Sequence, residues 1–211
     1  MSNDVKASIT AYPDGPLAVN GLAKCSNRHG SVETKSKMVL CRCGASANKP
    51  YCDGSHKQSG FSSAKQEDRG ADQKQHYIGS GITIHDNRSI CAHAGYCTDQ
   101  LAAVFRMKQE PWIDADAATV NEIVSTIKSC PSGALSYSLQ PEVEVVAETG
   151  AAIHIAENGP YVVSGEIDLV DIDWAEGASR KQFTLCRCGA SKNKPFCDGS
   201  HWDSGFKDDE N

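Results

Sequence analysis

At 211 residues, with 39% apolar and 7% aromatic side chains, the chain is globular in composition but short of core material. Small domains of that kind usually need disulfides or metals, and ten cysteines can supply either. The net charge of −6 argues against nucleic acid or an anionic membrane as partner. No run approaches the ~18 apolar residues of a membrane span, and MSNDVKASIT has no signal-peptide core, so a cytoplasmic protein is expected. In that reducing compartment dense cysteine points to metal or redox chemistry rather than disulfides.

The chain opens with a short alternating segment, a D-G-P turn and a second short segment (ASITAYPDGPLAVNG, 7–21), which predicts a β-hairpin. A polar stretch of about twenty residues follows, and then MVL, a predicted strand, leads into CRCGASANKPYCDGSH (41–56). This run places Cys41, Cys43, Cys52 and His56 in a C-x-C-x8-C-x3-H pattern. The Asp53-Gly54 step suits a helix N-cap, which would put Cys52 and His56 near one face. Arg42 and Lys49 are candidate cations beside the site, or solvated loop charges. Cys25 has no cysteine neighbour and reads as a free buried thiol.

SSAKQEDRGADQKQ (62–75) is polar and aperiodic, a linker. GITIHDNRSI then predicts a strand. Thr119 and Glu122 have capping-box spacing ahead of Val120, Ile123, Val124 and Ile127, which share one helical face; Pro131 ends that helix just after Cys130. The segment holds Cys91 and Cys97 in CAHAGYC and Cys130 in CPSGAL. A bacterial ferredoxin run spaces its ligands C-x2-C-x2-C with a distant C-P, and here the central position is Ala94. Three thiolates suit a [3Fe–4S] cluster, or a [4Fe–4S] cluster whose fourth ligand is His93, water or a small thiol. His29, His76, His85 and His154 have no ligand company.

The first pattern then returns. AAIHIAENGPYVVSG (151–165) mirrors 7–21, and FTL leads into CRCGASKNKPFCDGSH (186–201), identical to the first run at fourteen of sixteen positions. Its Cys186, Cys188, Cys197 and His201 repeat the spacing, with Arg187, Lys194 and the Asp198-Gly199 step. A Cys3His zinc site uses the same ligand types, although zinc knuckles more often read C-x2-C than C-x-C. Mixed Cys/His ligation of a [2Fe–2S] centre is known from Rieske sites. Charge is uneven: residues 1–61 carry eight Lys/Arg against four Asp/Glu, whereas 62–150 carry seven against twelve and 151–211 six against eleven.

The full string C-x-C-x2-S-x3-P-x-C-D-G-S-H, with Ser46, Pro50, Ser191 and Pro195 in place, resembles the CDGSH iron–sulfur family of the mitoNEET type in both copies. That resemblance implies two [2Fe–2S] clusters, each with two cysteines on an inner iron and Cys plus His on an outer one. It also implies strand exchange between two domains, here within one chain. The middle segment resembles the divergent monocluster ferredoxins.

The expected fold class is α+β. CDGSH modules at 1–61 and 141–211 form an intramolecular pseudo-dimer, a linker spans 62–75, and a ferredoxin-like domain at 76–140 is inserted. No nucleophile–base pair, phosphate loop or dinucleotide fingerprint is visible, so the expectation is an electron carrier rather than an enzyme. Its partner is then a reductase or oxidoreductase, or, for a pH-sensitive cluster store or sensor, an apo iron–sulfur acceptor. A monomer with an internal pseudo-two-fold is expected.

Overall fold

In the computed structural model, residues 6–139, 143–144, 150–175 and 177–211 are described. The two predicted hairpins form: β1 (Ser8–Ala11) with β2 (Leu17–Asn20), and β10 (Ala152–Ile155) with β11 (Tyr161–Ser164), both antiparallel. Their turns place Asp14 and Asn158 in the left-handed region, at φ 46° and 48°. Asp and Asn tolerate it because a short polar side chain can bond locally. The strands before the metal runs also form: β5 (Lys37–Leu40) pairs with β2, and β13 (Gln182–Leu185) with β11.

The polar stretches between hairpin and metal run hold further strands with no readable period. They are β3 (Cys25–Asn27) and β4 (Gly30–Val32) in the first half, and β12 (Asp168–Val170) in the second. β4 pairs with β3, whereas β3 and β12 each pair across the halves. β12 lies parallel to β1, with Leu169 opposite Ile9. β3 lies parallel to β10, with Cys25 opposite Ile153. Sheet orders are therefore β12-β1-β2-β5 and β13-β11-β10-β3-β4. Ile9, Leu17, Val19 and Leu40 share one core with Ile153, Ile155, Tyr161, Val163, Phe183 and Phe196. Cys25, buried in that core where the second half has Leu169, serves as a small apolar side chain.

The middle segment has its own sheet, β6 (Gln75–Ile78), β7 (Ile82–Asp86), β8 (Leu135–Leu139) and β9 (Val143–Glu144), in that order. Helices α1 (Tyr96–Gln100) and α2 (Val120–Lys128) accompany it. The expected capping box is present: Glu122 N–H donates to Thr119 Oγ1, and Thr119 N–H to Glu122 Oε2 at 2.9 Å. Ile123 and Ile127 bury against Ile82, Ile84, Phe105 and Tyr137. α2 ends at Lys128, two residues short of Cys130. No helix among the described residues is long and apolar enough to cross a membrane.

The candidate iron–sulfur site

Cys41 and Cys186 follow β5 and β13 directly, and each metal run folds back on the strand before it. Cys41 N–H donates to Pro50 O (2.7 Å) and Cys52 N–H to Val39 O (2.9 Å). The second copy repeats this with Cys186 to Pro195 O (2.8 Å) and Cys197 to Thr184 O (3.0 Å). The serine of each run fastens the loop: Ser46 Oγ donates to Tyr51 O at 2.7 Å and Ser191 Oγ to Phe196 O at 2.6 Å.

The expected helix N-cap at the Asp-Gly step does not form. Ser55–Lys57 is a single 3-10 turn entered through Gly54 at φ 93°, and 200–205 consists of turns. The aspartates instead tie the loop to itself. Asp53 accepts from Ser55 N–H (3.0 Å), Ser55 Oγ (2.6 Å) and Ala47 N–H (2.8 Å), and these bonds hold its carboxyl far below the usual range. Asp198 takes the same three positions from Ser200 and Lys192. The ligands still meet without the helix.

The meeting is pairwise. Cys41 and Cys43 Sγ atoms lie 3.7 Å apart, and Cys186 and Cys188 3.8 Å. Cys52 Sγ is 3.4 Å from His56 Nδ1, and Cys197 Sγ 3.4 Å from His201 Nδ1. Metal–ligand bonds of about 2.3 Å to sulfur and ~2.1 Å to nitrogen, at a tetrahedral angle, require separations of ~3.8 Å and ~3.6 Å. Both pairs in both copies therefore fit two ligands on one tetrahedral metal. Among the described residues no three His, Cys, Asp or Glu converge on a single ion position. The sulfurs also receive backbone donors: Ala45 N–H to Cys43 (3.5 Å), Gly54 N–H to Cys52 (3.4 Å) and Ala190 N–H to Cys188 (3.4 Å). Such bonds favour thiolate.

The arginines are not solvated loop charges. Arg42 is buried, donating from Nε to Gly15 O (3.0 Å) and from its terminal nitrogen to Tyr12 O (2.6 Å). Arg187, also buried, does the same to Gly159 O (2.9 Å) and Ala156 O (2.8 Å), and pairs with buried Asp208. Each ties a metal loop to the turn of its own hairpin. The lysine ammoniums donate to Ser46 O (Lys49, 2.7 Å) and Ser191 O (Lys194), clamping the loop.

The two metal loops also touch each other. A Cβ added to Gly44 would lie 2.3 Å from Cys188 O, and one added to Gly189 would lie 2.4 Å from Cys43 O. Both glycines have positive φ, 75° and 83°. Tyr161 crosses between halves as well, its hydroxyl donating to Cys41 O (2.8 Å) and Pro50 O (3.0 Å). Its equivalent by the repeat alignment is Leu17, so nothing in the duplicated runs signalled that contact.

Cys91, Cys97 and Cys130 come together from separate elements. Cys91 follows a 3-10 turn at Arg88–Ile90, Cys97 lies in α1, and Cys130 follows α2; all three line one cavity of about 750 Å³. Arg88, Arg106, Lys108 and Trp112 also line it. Burial pushes the Cys91 thiol up to about 11 and the Cys97 thiol upward, and both feel Cys130. Three half-buried thiols that a metal must deprotonate, in a cavity lined by Arg88, Arg106 and Lys108 against Asp99 and Glu110, fit an anionic cluster. His93 borders the cavity at φ 52°, but its ring lies against Gly199. Asp86, at the end of β7, was not anticipated. It is fully buried, neither carboxylate oxygen has a hydrogen bond, and Arg88 Nε stands at 3.9 Å. Burial pushes its carboxyl up to about 6, with Arg88 and the Trp112 indole opposing only in part.

Residues 14–57 and 158–202 match the family model described as an iron-binding zinc finger of CDGSH type. Residues 77–140 match one described as a divergent 4Fe-4S mono-cluster. The chain is 41% identical over 61 residues to the uncharacterized protein YjdI of Escherichia coli strain K12, covering 29% of this chain and 80% of that protein. The YjdI of Escherichia coli O157:H7 matches to the same extent. A CDGSH iron-sulfur domain protein of Drosophila melanogaster is 47% identical over 49 residues, covering 23% of this chain and 30% of that one. With two loops of paired thiols and imidazoles flanking a three-thiol cavity, the chain belongs to the CDGSH iron–sulfur family and carries a divergent 4Fe-4S segment between its two CDGSH segments.

Proposed function

We propose that the chain is an electron carrier holding two [2Fe–2S] clusters and one [3Fe–4S] or [4Fe–4S] cluster. Cys41, Cys43, Cys52 and His56 hold the first, Cys186, Cys188, Cys197 and His201 the second, and Cys91, Cys97 and Cys130 the third. The observation that carries this reading is the two-plus-two pairing of ligands in each loop. A mononuclear zinc site gathers four ligands on one point, whereas a binuclear centre takes a pair on each metal.

Bound clusters supply one-electron couples. The residues of this chain set their surroundings: backbone N–H groups on the sulfurs, and lysine and arginine side chains that shape the loops. The strand exchange and the reciprocal Gly44 and Gly189 contacts support an intramolecular pseudo-dimer, complete as a monomer. The partner on this reading is a cytoplasmic reductase or oxidoreductase, and the chain converts no substrate of its own.

The test is the visible spectrum of anaerobically prepared protein, with iron, zinc and acid-labile sulfide counted. Two [2Fe–2S] centres that cycle reversibly with a reductase support electron carriage; a colourless, zinc-loaded protein overturns it. A second reading, delivery of [2Fe–2S] units to an apo-protein, draws support from the half-exposed His56 corner. Rapid transfer to an apo-ferredoxin would favour it.

A further inference from the structure

The duplicated runs are nearly identical, yet their surroundings are not. Every contact between the insert and a CDGSH loop described below falls on the second copy. A Cβ on Gly199 would meet the His93 ring at 2.8 Å, while the same addition at Gly54 meets nothing within 4 Å. Trp202 Nε1 donates to His93 O at 3.2 Å, and the Trp202 ring stands 5.1 Å from that of His201. Trp202 is itself 64% exposed, so it edges the His201 corner rather than burying it; its equivalent in the first copy is Lys57.

Asn193 is buried and donates to Ser89 O at 2.7 Å, whereas its equivalent Asn48 is exposed. The segment 62–75 adds to this. Gln66 N–H donates to Lys192 O at 2.8 Å, and Asp68 pairs with the Lys192 ammonium, where the first copy has exposed Ala47. The outcome is visible at the ligands: Cys197 and His201 are 2% and 5% exposed, while Cys52 and His56 are half-buried.

We propose that the insert is a fixed cover over the second CDGSH site, leaving the first as the chain's single exchange site. Through it iron or a whole cluster is surrendered to, or received from, the surroundings. This rests on the reading that both loops hold [2Fe–2S] clusters. It assigns the copies different work: the second is sheltered against the three-thiol cavity, and the first faces acceptors. Contacts fall on both sides of the His201 corner, at 192–193 and at Trp202, so the cover opens only by breaking them.

The test uses the full-length holoprotein. Cys197→Ser leaves the first site loaded, and Cys52→Ser leaves the second; each is mixed with excess EDTA at pH 7.5, and loss of visible absorbance is followed. Three hydrogen bonds and an ion pair hold the cover over the second site, so the first is expected to empty at least about tenfold faster. Trp202→Lys, which installs the residue of the first copy, is expected to speed the second site and leave the first unchanged.

The wild-type chain provides a readout that needs no metal. Both histidines turn Nδ1 toward sulfur, so Nε2 is the nitrogen left for diethyl pyrocarbonate; peptide mapping by mass spectrometry should show His56 modified well before His201. Equal release rates, or equal modification of the two histidines, overturn the cover. Unequal modification in a protein that lacks its iron supports the cover and counts against the metal assignment instead.

Discussion

Replacing Asp86 by asparagine tests the energetics of the insert through a charge that has no hydrogen-bonded partner. The carboxyl titrates at about 6 in the fold against an ordinary value of 3.8, because burial removes water from both oxygens and Arg88, at 3.9 Å, restores only part of the loss. At 1.36 kcal/mol per pKa unit, that gap is worth about 3 kcal/mol. The sign follows from proton binding. The folded state holds the proton more tightly, so the full contribution of Asp86 is present below 3.8 and is lost as pH rises through about 6. Asparagine does not titrate. Its buried amide adds a constant offset of about 1–3 kcal/mol, whereas the aspartate penalty varies with pH. The difference in unfolding free energy, Asp86→Asn minus wild type, should therefore climb by about 2.4 kcal/mol between pH 4 and pH 8. Urea unfolding at matched iron content, read by tryptophan fluorescence, measures it, since Trp112 lies in the insert. A difference that stays flat with pH, or grows as pH falls, would refute the account of Asp86 as an uncompensated buried charge.

Three further outcomes follow from the loops. Gly44→Ala and Gly189→Ala each drive a Cβ into the opposing backbone at positive φ, so either single change should lower iron content at both CDGSH sites; loss confined to the mutated copy would refute the reciprocal contact. Arg187→Ala leaves buried Asp208 unpaired and should destabilise by about 3–5 kcal/mol, seen as a lower urea midpoint. Arg42 has no such acid among its hydrogen-bond partners, so Arg42→Ala should cost less. Tyr161→Phe removes the donor to Cys41 O and Pro50 O and should cost about 1–2 kcal/mol. Chelator should then empty the first site faster and leave the second unchanged, although the substitution is made in the second half.

The hairpins were legible because each joins alternating apolar residues through a turn whose Asp or Asn accepts positive φ. The paired cysteines and histidines were legible because their spacing is written twice, and α2 because its cap is local: Thr119 and Glu122 satisfy each other three residues apart. What stayed hidden is non-local. β3 and β12 are three-residue strands stabilised by parallel partners more than a hundred residues away, and no period within CSN or DLV discloses that. The helix expected after Cys52 failed because Gly54 takes φ 93° and Asp53 spends its carboxylate on Ala47 and Ser55. The burial of the arginines stayed hidden because charge normally implies water, and only the hairpin turns, folded beside them, supply carbonyls in its place. Asp86 reads in the sequence as the polar end of a strand, and its loss of water comes from the fold that buries it.

The strand swap between β1 and β12, and between β3 and β10, is closed within a single polypeptide. Were the partners separate identical chains, dilution would pull them apart, and every substitution would appear on both sides of the axis. Tethering removes both constraints on these strand pairs: their pairing does not depend on how much protein is present, and each side can differ from the other. Leu17 against Tyr161 and Lys57 against Trp202 are what such freedom leaves behind, and a symmetric homodimer has no means of encoding either difference.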